Sequence, residues 1–258
     1  MKKTQREEDE LLALLEKNEK LTLQEAMSEL GVSESTARRI FVRLEKSGCA
    51  IRSYGCLHYF PKLLKNYSYS IMESVFHEEK SAIGKAVANL ISNGDMIYLD
   101  SGTTLAEASY AIAGRLERGE LCDISVFTNS MANLEILQNV CRVNLIGGYW
   151  RAERRDFAGY MSELSVNNLH FSKCLLGADG YSESNGFTAS DFDTARLNER
   201  VLSNSDDSYV LIDSTKFSRT SVVSYSKNKA VKNIITDSIP ENRAEILKNA
   251  GVNIIIAK

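Results

Sequence analysis

The sequence contains no long hydrophobic run, and no stretch approaches the roughly 18 apolar residues that a membrane-spanning helix needs. Its beginning, MKKTQREEDE, is mostly charged and lacks the apolar centre of a secretory signal. These absences argue against the membrane and secreted classes of protein. We therefore expect a cytoplasmic protein with no membrane partner.

Metal-binding residues are also scarce. The 258 residues include only three histidines, and the five cysteines are scattered without any C-x-x-C pair. This pattern argues against a zinc site and favours reduced thiols, so we expect no metal and no cofactor. The sequence has no internal repeat or low-complexity tract, and its length suits one small domain followed by a medium one.

What the sequence does contain, close to its beginning, is the pattern of a helix-turn-helix. Residues 32–48 read VSESTARRIFVRLEKSG. Ser33 suits an N-cap, because its hydroxyl can accept a hydrogen bond from a free backbone N–H of the first turn. Apolar residues then recur at helical spacing and predict the buried face of the helix. They are Ala37, Ile40, Phe41 and Leu44.

The opposite face of that helix carries hydroxyl and cationic side chains, which suit base edges and phosphates. They are Ser35, Thr36, Arg38, Arg39, Arg43 and Lys46. Upstream, the sequence predicts a first helix over residues 5–17 and a second helix that opens with the capping box Thr22-Leu23-Gln24-Glu25. Gly31 permits the tight turn between the second helix and the third.

The segment CAIRSYGCLHYF predicts a small wing of two strands around Tyr54, with Arg52 and Lys62 near a DNA backbone. Between residues 35 and 65, seven basic residues stand against Glu45 alone, whereas the whole chain has a net charge of −3. A charged helix face is often only solvated, but this local contrast favours a focused DNA interface. We predict that it comprises Ser33, Ser35, Thr36, Arg38, Arg39, Arg43 and Arg52.

These patterns predict a winged helix-turn-helix domain over residues 1–60, a connector over 61–77 and a second domain over 78–258. The second domain opens with an amphipathic helix that ends at Asn93-Gly94. Its apolar positions are Ile83, Val87, Leu90 and Ile91.

Short apolar runs then alternate with helical stretches, which favours an α/β layered domain with a mainly parallel sheet. The predicted strands cover residues 96–99, 124–127, 143–146, 174–176, 209–212, 234–236 and 253–256. The predicted helices cover residues 104–116, 131–139, 160–169, 192–205 and 241–250.

Polar residues and glycines follow several of these strands, and parallel sheets bind ligands at that carboxyl edge. The loop Asp100-Ser101-Gly102-Thr103-Thr104 precedes a helix whose free N–H groups would make it an anion cradle. Thr128-Asn129-Ser130 repeats the pattern after the next strand, and Arg151 offers a guanidinium for phosphate. Two later loops, Gly177-Ala178-Asp179-Gly180 and Asp213-Ser214-Thr215-Lys216, complete the set.

Each loop also fits a simpler interpretation, because Asp and Ser after a strand are commonly N-caps. Arg151 could pair with Glu153 or Asp156 instead of a ligand. Trp150 fits the core, a lid or an oligomer contact equally well, and Arg154 and Arg155 fit solvated positions better than ligand-binding ones.

Taken in order, these segments resemble the DeoR family of bacterial transcriptional regulators over nearly the whole chain. The matching motifs are VSESTARR, LEKSG, EEKSAIGKAVANLI, YLDSGTT, FTNS, LIGG, GADG, NGFT and DSTKF. The sequence departs from the family at Ile40, where an acidic residue is usual. It departs again at Tyr54-Gly55-Cys56, where the wing usually has His-Gly-Gly.

The resemblance implies a sensor domain similar to ribose-5-phosphate isomerase, with a phosphorylated sugar or related metabolite as effector. It places the phosphate near the first two loops, with Gly147 and Gly148 closing over it. Asp179, Thr188 and Lys216 match the later motifs. The expected effector-site residues are Asp100, Ser101, Gly102, Thr103, Thr104, Thr128, Asn129, Ser130, Gly147, Gly148, Arg151, Asp179, Thr188 and Lys216.

We therefore expect a repressor of a carbohydrate-catabolism operon that binds operator DNA as a homodimer or homotetramer. The alternative is a sugar-phosphate isomerase-like enzyme with an accessory DNA-binding domain. Such an enzyme needs a carboxylate that moves a proton between carbons. Asp100 or Asp179 could serve, but no matched acid–base pair is identifiable, so we expect no catalytic residues.

Overall fold

The structure, a computed structural model, describes residues 3–18, 20–46, 50–53, 56–59, 69–226 and 231–258. The chain forms two compact units, Met1–Tyr67 and Ser68–Lys258. The boundary between them lies inside the predicted connector 61–77. Within the described ranges, no helix combines the length and apolarity needed to cross a bilayer.

The described part of the first unit contains three helices and three short strands. The strands form an antiparallel sheet in the order β1-β3-β2. The predicted wing corresponds to β2 and β3, and its turn at Tyr54-Gly55 lies outside the described residues. In chain order the elements are α1 (Lys3–Asn18), β1 (Lys20–Thr22), α2 (Leu23–Leu30), α3 (Glu34–Lys46), β2 (Ala50–Ser53) and β3 (Cys56–Tyr59).

The apolar stripe predicted for α3 forms the core of this unit together with leucines of α1. Leu11 and Leu15 of α1 are fully buried, and the four apolar positions predicted for α3 are all buried. Strand residues close the core from the sheet side, including Leu21 and Leu57. Burial of one side chain of this size contributes about 1.5–3 kcal/mol, so packing holds these short helices together.

Local chemistry fixes where α2 begins and ends. Thr22 Oγ1 accepts from Glu25 N at 3.1 Å, and Thr22 N donates to Glu25 Oε2 at 2.7 Å, which is the predicted capping box. Gly31 follows the helix with a φ of 60°, in the left-handed region that a residue with a Cβ rarely adopts. The chain then turns into α3, where Ala37 N donates to Ser33 O at 2.9 Å.

The second unit alternates strands and helices, as predicted. Its elements are α4 (Tyr69–Ser74), α5 (His77–Ala88), β4 (Met96–Leu99), α6 (Thr103–Glu117), β5 (Ser125–Thr128), α7 (Met131–Leu137), β6 (Arg142–Leu145), β7 (Tyr149–Arg151), β8 (Asp156–Ala158), α8 (Tyr160–Val166), β9 (Phe171–Gly177), β10 (Gly180–Ser182), β11 (Gly186–Ala189), α9 (Phe192–Ser203), β12 (Ser205–Leu211), a 3-10 turn (Ser214–Ser218), β13 (Val223–Ser226), β14 (Asn233–Thr236), α10 (Glu241–Asn249) and β15 (Asn253–Ile256).

A seven-stranded sheet with the order β15-β14-β12-β9-β4-β5-β6 organises this unit. Every adjacent pair in it is parallel. The mainly parallel sheet expected from the sequence is therefore confirmed, and each of the seven predicted strands overlaps one of these strands. We call it the central sheet.

Both faces of the central sheet are covered. Along β4, Ile97 and Leu99 pack into one hydrophobic core while Tyr98 packs into another. Side chains of successive strand residues point to opposite faces, so such a division requires apolar partners on both sides. Helices α5 and α6 supply one face, and α9 and α10 supply the other.

Helix α5 ends earlier than the sequence predicted, at Ala88 rather than at Asn93-Gly94. The Arg115 guanidinium donates to the carbonyl of Ala88 and, at 3.0 Å, to that of Ile91. In a longer helix, these carbonyls would accept hydrogen bonds from backbone N–H groups of the next turn.

Two smaller elements were not predicted from the sequence. One is the antiparallel sheet β10-β11-β13, and the other is the antiparallel pair of β7 and β8. Their strands, YWR, DFA, GYS, GFTA and VSYS, mix apolar residues with glycine or polar residues, so they contain no apolar run that marks them in the sequence. Residues 149–158 are called the hairpin below.

Candidate functional site

The predicted DNA-contacting face lies on α3 and just before it. Three hydroxyls meet at the start of the helix, where Ser33 Oγ lies 3.1 Å from Ser35 Oγ and 3.0 Å from Thr36 Oγ1. Ser33 and Ser35 are exposed. Hydroxyls beside the positive end of a helix dipole suit a phosphate oxygen.

Three of the predicted arginines are held by carboxylates on the surface. Ion pairs between exposed side chains, as in Arg38–Glu34 and Arg52–Glu45, are weak, so a phosphate or base can replace the carboxylate, whereas the side chain of Glu8 is only 15% exposed. The pairs are Arg38–Glu34 at 2.8 Å, Arg43–Glu8 at 2.5 Å and Arg52–Glu45 at 2.6 Å.

Arg39 differs from these three arginines. It is exposed and has no ion pair among the residues that the structure describes. Among the α3 cations whose side chains the structure describes, it is therefore the one most available to DNA. The side chain of Lys46, together with Lys62 and Lys65, lies outside the described residues.

In the second unit, Asp100 connects several loops at the carboxyl edge of the central sheet. Its Oδ2 accepts from Gly177 N at 3.1 Å and from Asn198 Nδ2 at 2.9 Å. Its Oδ1 accepts from Ser101 N at 2.7 Å, and its carbonyl accepts from Asn133 Nδ2 at 2.9 Å. The ends of β4 and β9 and the helices α7 and α9 therefore meet at this one residue.

Burial also changes the acidity of Asp100. Removal from water raises the pKa of this carboxyl from 3.8 to about 6, although the hydrogen bonds that it accepts oppose the rise. The nearby negative charge of Asp156 acts in the same direction as burial. Asp100 thus titrates close to neutral pH.

Helix α6 begins beside Asp100 without any side-chain cap. Gly102 holds the N-cap position with a φ of 116° and a ψ of 163°. The first backbone N–H bonded back to the cap is that of Ala106, which donates to Gly102 O at 3.0 Å. The preceding N–H groups of the first turn have no carbonyl one turn back, so they and the helix dipole favour an anion.

The second predicted loop is buried and bonded within the protein. Ser130 Oγ accepts from Asn133 N at 3.3 Å and caps α7, which is the simpler role considered for such loops. Asn129 Oδ1 accepts from Tyr98 Oη at 3.1 Å. Thr128 Oγ1 accepts from Asn133 Nδ2 at 3.1 Å. The polar groups of this loop are therefore used to hold together the carboxyl edge of the central sheet, rather than left free for a ligand.

Arg151, on the hairpin, takes one of the two alternatives left open by the sequence. Its Nε and Nη2 each lie 2.7 Å from the carboxylate oxygens of Asp156, forming a bidentate pair. Its Nη1 lies 3.0 Å from Asp191 Oδ1, and Nη2 donates to Thr194 Oγ1 at 3.0 Å. Although burial opposes the charge, Asp156 and Asp191 raise the pKa of Arg151, which stays cationic.

Arg154 is not solvated, which corrects the expectation from the sequence. Only 15% of its side chain is exposed, and its guanidinium lies 3.8–3.9 Å from Asp156, Asp179 and Asp191. It also donates to Ser190 Oγ at 2.8 Å. The three aspartates come from separate segments, so no local pattern could show that they converge.

Arg155 is half-exposed and points elsewhere. It pairs with Glu135 at 2.6 Å and lies over the ring of Tyr69, 5.4 Å from its centroid.

Trp150 is 48% exposed and packs on Phe157 across the hairpin, with 5.3 Å between ring centroids. This exposure argues against the core alternative for Trp150, and the lid and the oligomer contact stay predictions.

Gly147 and Gly148, expected to close over a phosphate, are exposed and precede the hairpin. Ser162 Oγ donates to Gly147 O at 2.7 Å. A Cβ on Gly148 would collide with Ser162 Oγ and the carbonyl of Ala158. Glycine at 148 is thus required by close packing against the start of α8, whatever else it does.

Asp179 and Thr188 lie at the small sheet β10-β11-β13. Asp179 N donates to Thr188 O at 2.8 Å, and Asp179 Oδ2 accepts from Ser190 N at 2.9 Å. Thr188 is buried, and its Oγ1 accepts from Ser221 N at 2.8 Å. Asp179 is one of the aspartates around Arg154, whereas the hydroxyl of Thr188 is already bonded to the backbone of Ser221.

Lys216 pairs with Asp213 at 3.5 Å in the loop after β12. Although burial opposes ionisation, the charge of Lys216 and the Thr215 hydroxyl lower the pKa of Asp213. The described contacts of Lys216 do not connect it to the loop that starts α6.

Lys80, which was not among the predicted residues, is 1% exposed and donates to the carbonyls of Met72 and, at 2.6 Å, Val75. Burial, with the charge of Lys216 second, lowers the pKa of Lys80 to about 8. Its place on the apolar stripe with Ile83 and Val87 was the signal that could have revealed its burial.

Two buried amides, Asn133 and Asn198, were also missed. Both donate to Asp100, and the Oδ1 atom of each has no hydrogen-bond partner among the described residues. An unpaired buried acceptor is costly, and a hydroxyl of a ligand would satisfy it. No group of His, Cys, Asp and Glu side chains in the described ranges could hold a metal ion.

Comparison with known families decides which proteins this arrangement belongs with. Residues 75–238 match the DeoR C terminal sensor domain, and residues 8–62 match the DeoR-like helix-turn-helix domain. This chain belongs to the DeoR family. It is a DNA-binding transcriptional regulator with a sensor domain, rather than an enzyme.

Relatives align over most of the DeoR-family chain. A protein of Escherichia coli O157:H7, provisionally named as an aga operon transcriptional repressor, is 34% identical over 88% of this chain and 84% of its own. The HTH-type transcriptional repressor GlcR of Bacillus subtilis is 28% identical over 98% of this chain and 97% of its own. The lactose phosphotransferase system repressor of Lactococcus lactis is 30% identical over 89% of each chain.

A solved ribose 5-phosphate isomerase A from Methanocaldococcus jannaschii aligns with 55% of this chain and 54% of its own, at 16% identity and a TM-score of 0.41. A similarity of this size carries no argument about function.

Proposed function

We propose that this chain represses a carbohydrate-use operon, holding operator DNA through α3 and releasing it when a phosphorylated sugar binds at the carboxyl edge of the central sheet. The observation that carries the sensor half is the meeting of several segments at Asp100, beside the uncapped start of α6. The names of the relatives, which refer to sugar operons and a phosphotransferase system, agree with it.

The uncapped first turn of α6 supports binding of the phosphoryl group. Its N–H groups and dipole favour negative charge, and Gly102 leaves the backbone open to close approach. We assign the phosphoryl group to Ser101, Gly102, Thr103 and Thr104.

The unpaired Oδ1 atoms of Asn133 and Asn198 support binding of the sugar. A sugar offers several hydroxyl donors, and each amide oxygen can accept one. We therefore place the sugar hydroxyls toward Asp100 and these amides, with the phosphoryl group toward α6.

Operator binding belongs to α3, with Arg39 as its freest cation and the hydroxyls of Ser33, Ser35 and Thr36 at the helix start. Each chain brings one such helix, whereas a two-half-site operator needs two. We therefore propose at least a homodimer, assembled through the sensor unit.

The first prediction tests the sensor half. Purified full-length protein should show a concentration-dependent rise of its unfolding midpoint with one or more members of a panel of sugar phosphates, by mass action on the folded state. The same compound should release operator DNA in a mobility-shift assay. Thr103→Val removes one hydroxyl at the start of α6, and that variant should bind operator while losing most of both responses.

Ser109→Ala is the matched control. It removes a buried hydroxyl further along the same helix, where Ser109 Oγ donates to Leu105 O at 3.1 Å. This variant should respond to the sugar phosphate as the parent does. A normal response from Thr103→Val would remove the α6 loop from the site, and no response of the parent to any sugar phosphate would refute the proposed effector class.

A further inference from the structure

The hairpin contacts several of the segments around the proposed effector site. Its Asp156 accepts from Ser101 Oγ at 2.6 Å, and its Phe157 N donates to Asn129 O at 2.8 Å. Through Arg151 it also reaches Asp191, at the start of α9. Residues 149–158 thus bridge the two sides of the edge where the effector is proposed to bind.

Asp156 has the bonding pattern of a bound anion. Its side chain is fully buried, and its two oxygens accept from both arms of the Arg151 guanidinium and from Ser101 Oγ. Ser101 directly precedes Gly102 at the uncapped start of α6. A hydroxyl, a guanidinium fork and a nearby helix N-terminus are the partners that proteins use for phosphate.

A second anion close to Asp156 would compete for the same partners. A phosphoryl group at the start of α6 would repel the Asp156 carboxylate and offer the Ser101 hydroxyl an alternative acceptor. If Asp156 left, Arg151 would lose its bidentate partner and could pair with the phosphoryl group. The buried cationic charge would then remain neutralised.

The hairpin also contacts Tyr69, the first residue of α4. Tyr69 is the first described residue after the segment 60–68, and its N–H donates to Glu153 O, in the hairpin turn, at 2.7 Å. Arg155, in the same turn, lies over the ring of Tyr69. Any change in the turn therefore reaches Tyr69 directly.

We propose that the Asp156 carboxylate occupies the anion position in the effector-free protein, and that an effector phosphoryl group displaces it, transferring Arg151 to the effector and shifting the hairpin turn that holds Tyr69. This deepens the proposed function, on which it rests, by naming the residues that convert effector binding into a change at the connector.

Trp150, the only tryptophan of the chain, lies in the hairpin and reports on it. Titration of the full-length protein with a sugar phosphate that raises its unfolding midpoint should change the emission of Trp150, with a Kd that agrees with the one obtained from the thermal response. Binding without any change in emission would overturn the hairpin proposal while leaving the proposed function standing. Absence of any binding would overturn both.

Asp156→Asn keeps the shape of the side chain but removes its charge. This variant should bind inorganic phosphate more tightly than the parent, on the order of tenfold, and its Trp150 emission without ligand should already be shifted toward that of the saturated parent. Asp95→Asn is the matched control, because Asp95 is also a buried aspartate paired with a cation, Lys173, at 2.6 Å. Equal or weaker phosphate binding by Asp156→Asn would refute the displacement.

The link to the connector is tested separately. Arg155→Ala removes the cation–π contact with the Tyr69 ring but leaves the hydrogen bond from Tyr69 N to Glu153 O, so this variant should keep the Trp150 response and lose part of the effect of sugar phosphate on operator affinity. Glu135→Gln breaks the ion pair of Arg155 with Glu135 without removing the guanidinium from the Tyr69 ring. That control should keep the operator response, and a full response from Arg155→Ala would show that the contact between Arg155 and the Tyr69 ring does not carry the signal.

Discussion

At the scale of single residues, three buried aspartates of the sensor unit differ because their neighbours differ. Asp95 and Asp213 each pair with a lysine, which lowers the pKa of both carboxyls although burial opposes the change. Asp100 accepts hydrogen bonds only from uncharged groups and lies near Asp156, so burial dominates and the pKa of Asp100 rises to about 6.

The second prediction, which belongs to this scale, concerns anion binding and pH. Protonation of Asp100 removes a negative charge beside the start of α6, so sulfate, which keeps both charges in this range, should bind more tightly as the pH falls through about 6. The measurement is the sulfate-dependent shift of the unfolding midpoint between about pH 7.5 and pH 5. Asp100→Asn should flatten this dependence and Asp95→Asn should keep it. If the sulfate-dependent shift of the parent protein did not change with pH, this prediction would be wrong.

The same shift has a consequence for stability. The pKa of folded Asp100 is raised above the unfolded value of 3.8, so the folded state binds this proton more tightly. The stabilisation is complete below about pH 4 and is lost as the pH rises through about 6. It amounts to something on the order of 3 kcal/mol.

At the scale of elements, helices α2 and α6 begin in opposite ways. The start of α2 is closed by its own capping box of Thr22 and Glu25, which satisfies the first-turn donors internally. The start of α6 has Gly102 and no side-chain cap, which leaves those donors for something else. The first arrangement serves stability, and the second costs some stability and leaves room for an anion.

The third prediction tests the closed helix start. Thr22→Ala removes the acceptor for Glu25 N and should lower the free energy of unfolding of the DNA-binding unit by about 1 kcal/mol. Denaturant titration of the full-length protein, followed by helical circular dichroism, measures this loss. Thr22→Ser retains the hydroxyl and should recover most of it. Equal stability of the alanine and parent proteins would mean that the capping box contributes nothing.

At the scale of the whole molecule, the two units have separate hydrophobic cores. One core supports the helices of the DNA-binding unit, and two others cover the faces of the central sheet. Separate cores allow one unit to lose its ligand affinity without disturbing the fold of the other. The two family domains that match the chain follow the same division.

The fourth prediction belongs to this scale. Arg39→Ala should weaken operator binding by at least about tenfold, since a good arginine contact to a base is worth about 1–3 kcal/mol, while the thermal response to sugar phosphate stays unchanged. Arg118→Ala, which removes an exposed arginine of the sensor unit, should leave operator binding intact. Unchanged operator affinity in Arg39→Ala would show that the DNA contact does not lie on this part of α3.

The elements that the sequence predicted well are those with long periodic patterns. The apolar stripe of α3 identifies the buried face of that helix, and apolar runs mark the seven central strands, of which the edge strands β6 and β15 are only partly buried. The hairpin and the small sheet β10-β11-β13 were missed, because their strands pair only with chain neighbours or short distant segments and carry no period.

The effector-site residues divide in the same way. The Ser101–Thr104 loop is visible in the sequence as a polar, glycine-containing strand end. By contrast, Arg154 looked like a solvated residue, and Asn133 and Asn198 had no signal at all. Each of the three has a partner 25 or more residues away in the chain.

By itself, the sequence determined the order of the elements, the buried face of each long helix and strand, and the family, because these follow from local period and short motifs. Only the tertiary structure decided which charges meet. Arg151 pairs with Asp156 and Asp191, and Arg154 lies among three aspartates. The reason is that ion pairing depends on distance in space, and the parallel sheet brings together segments that are far apart along the chain.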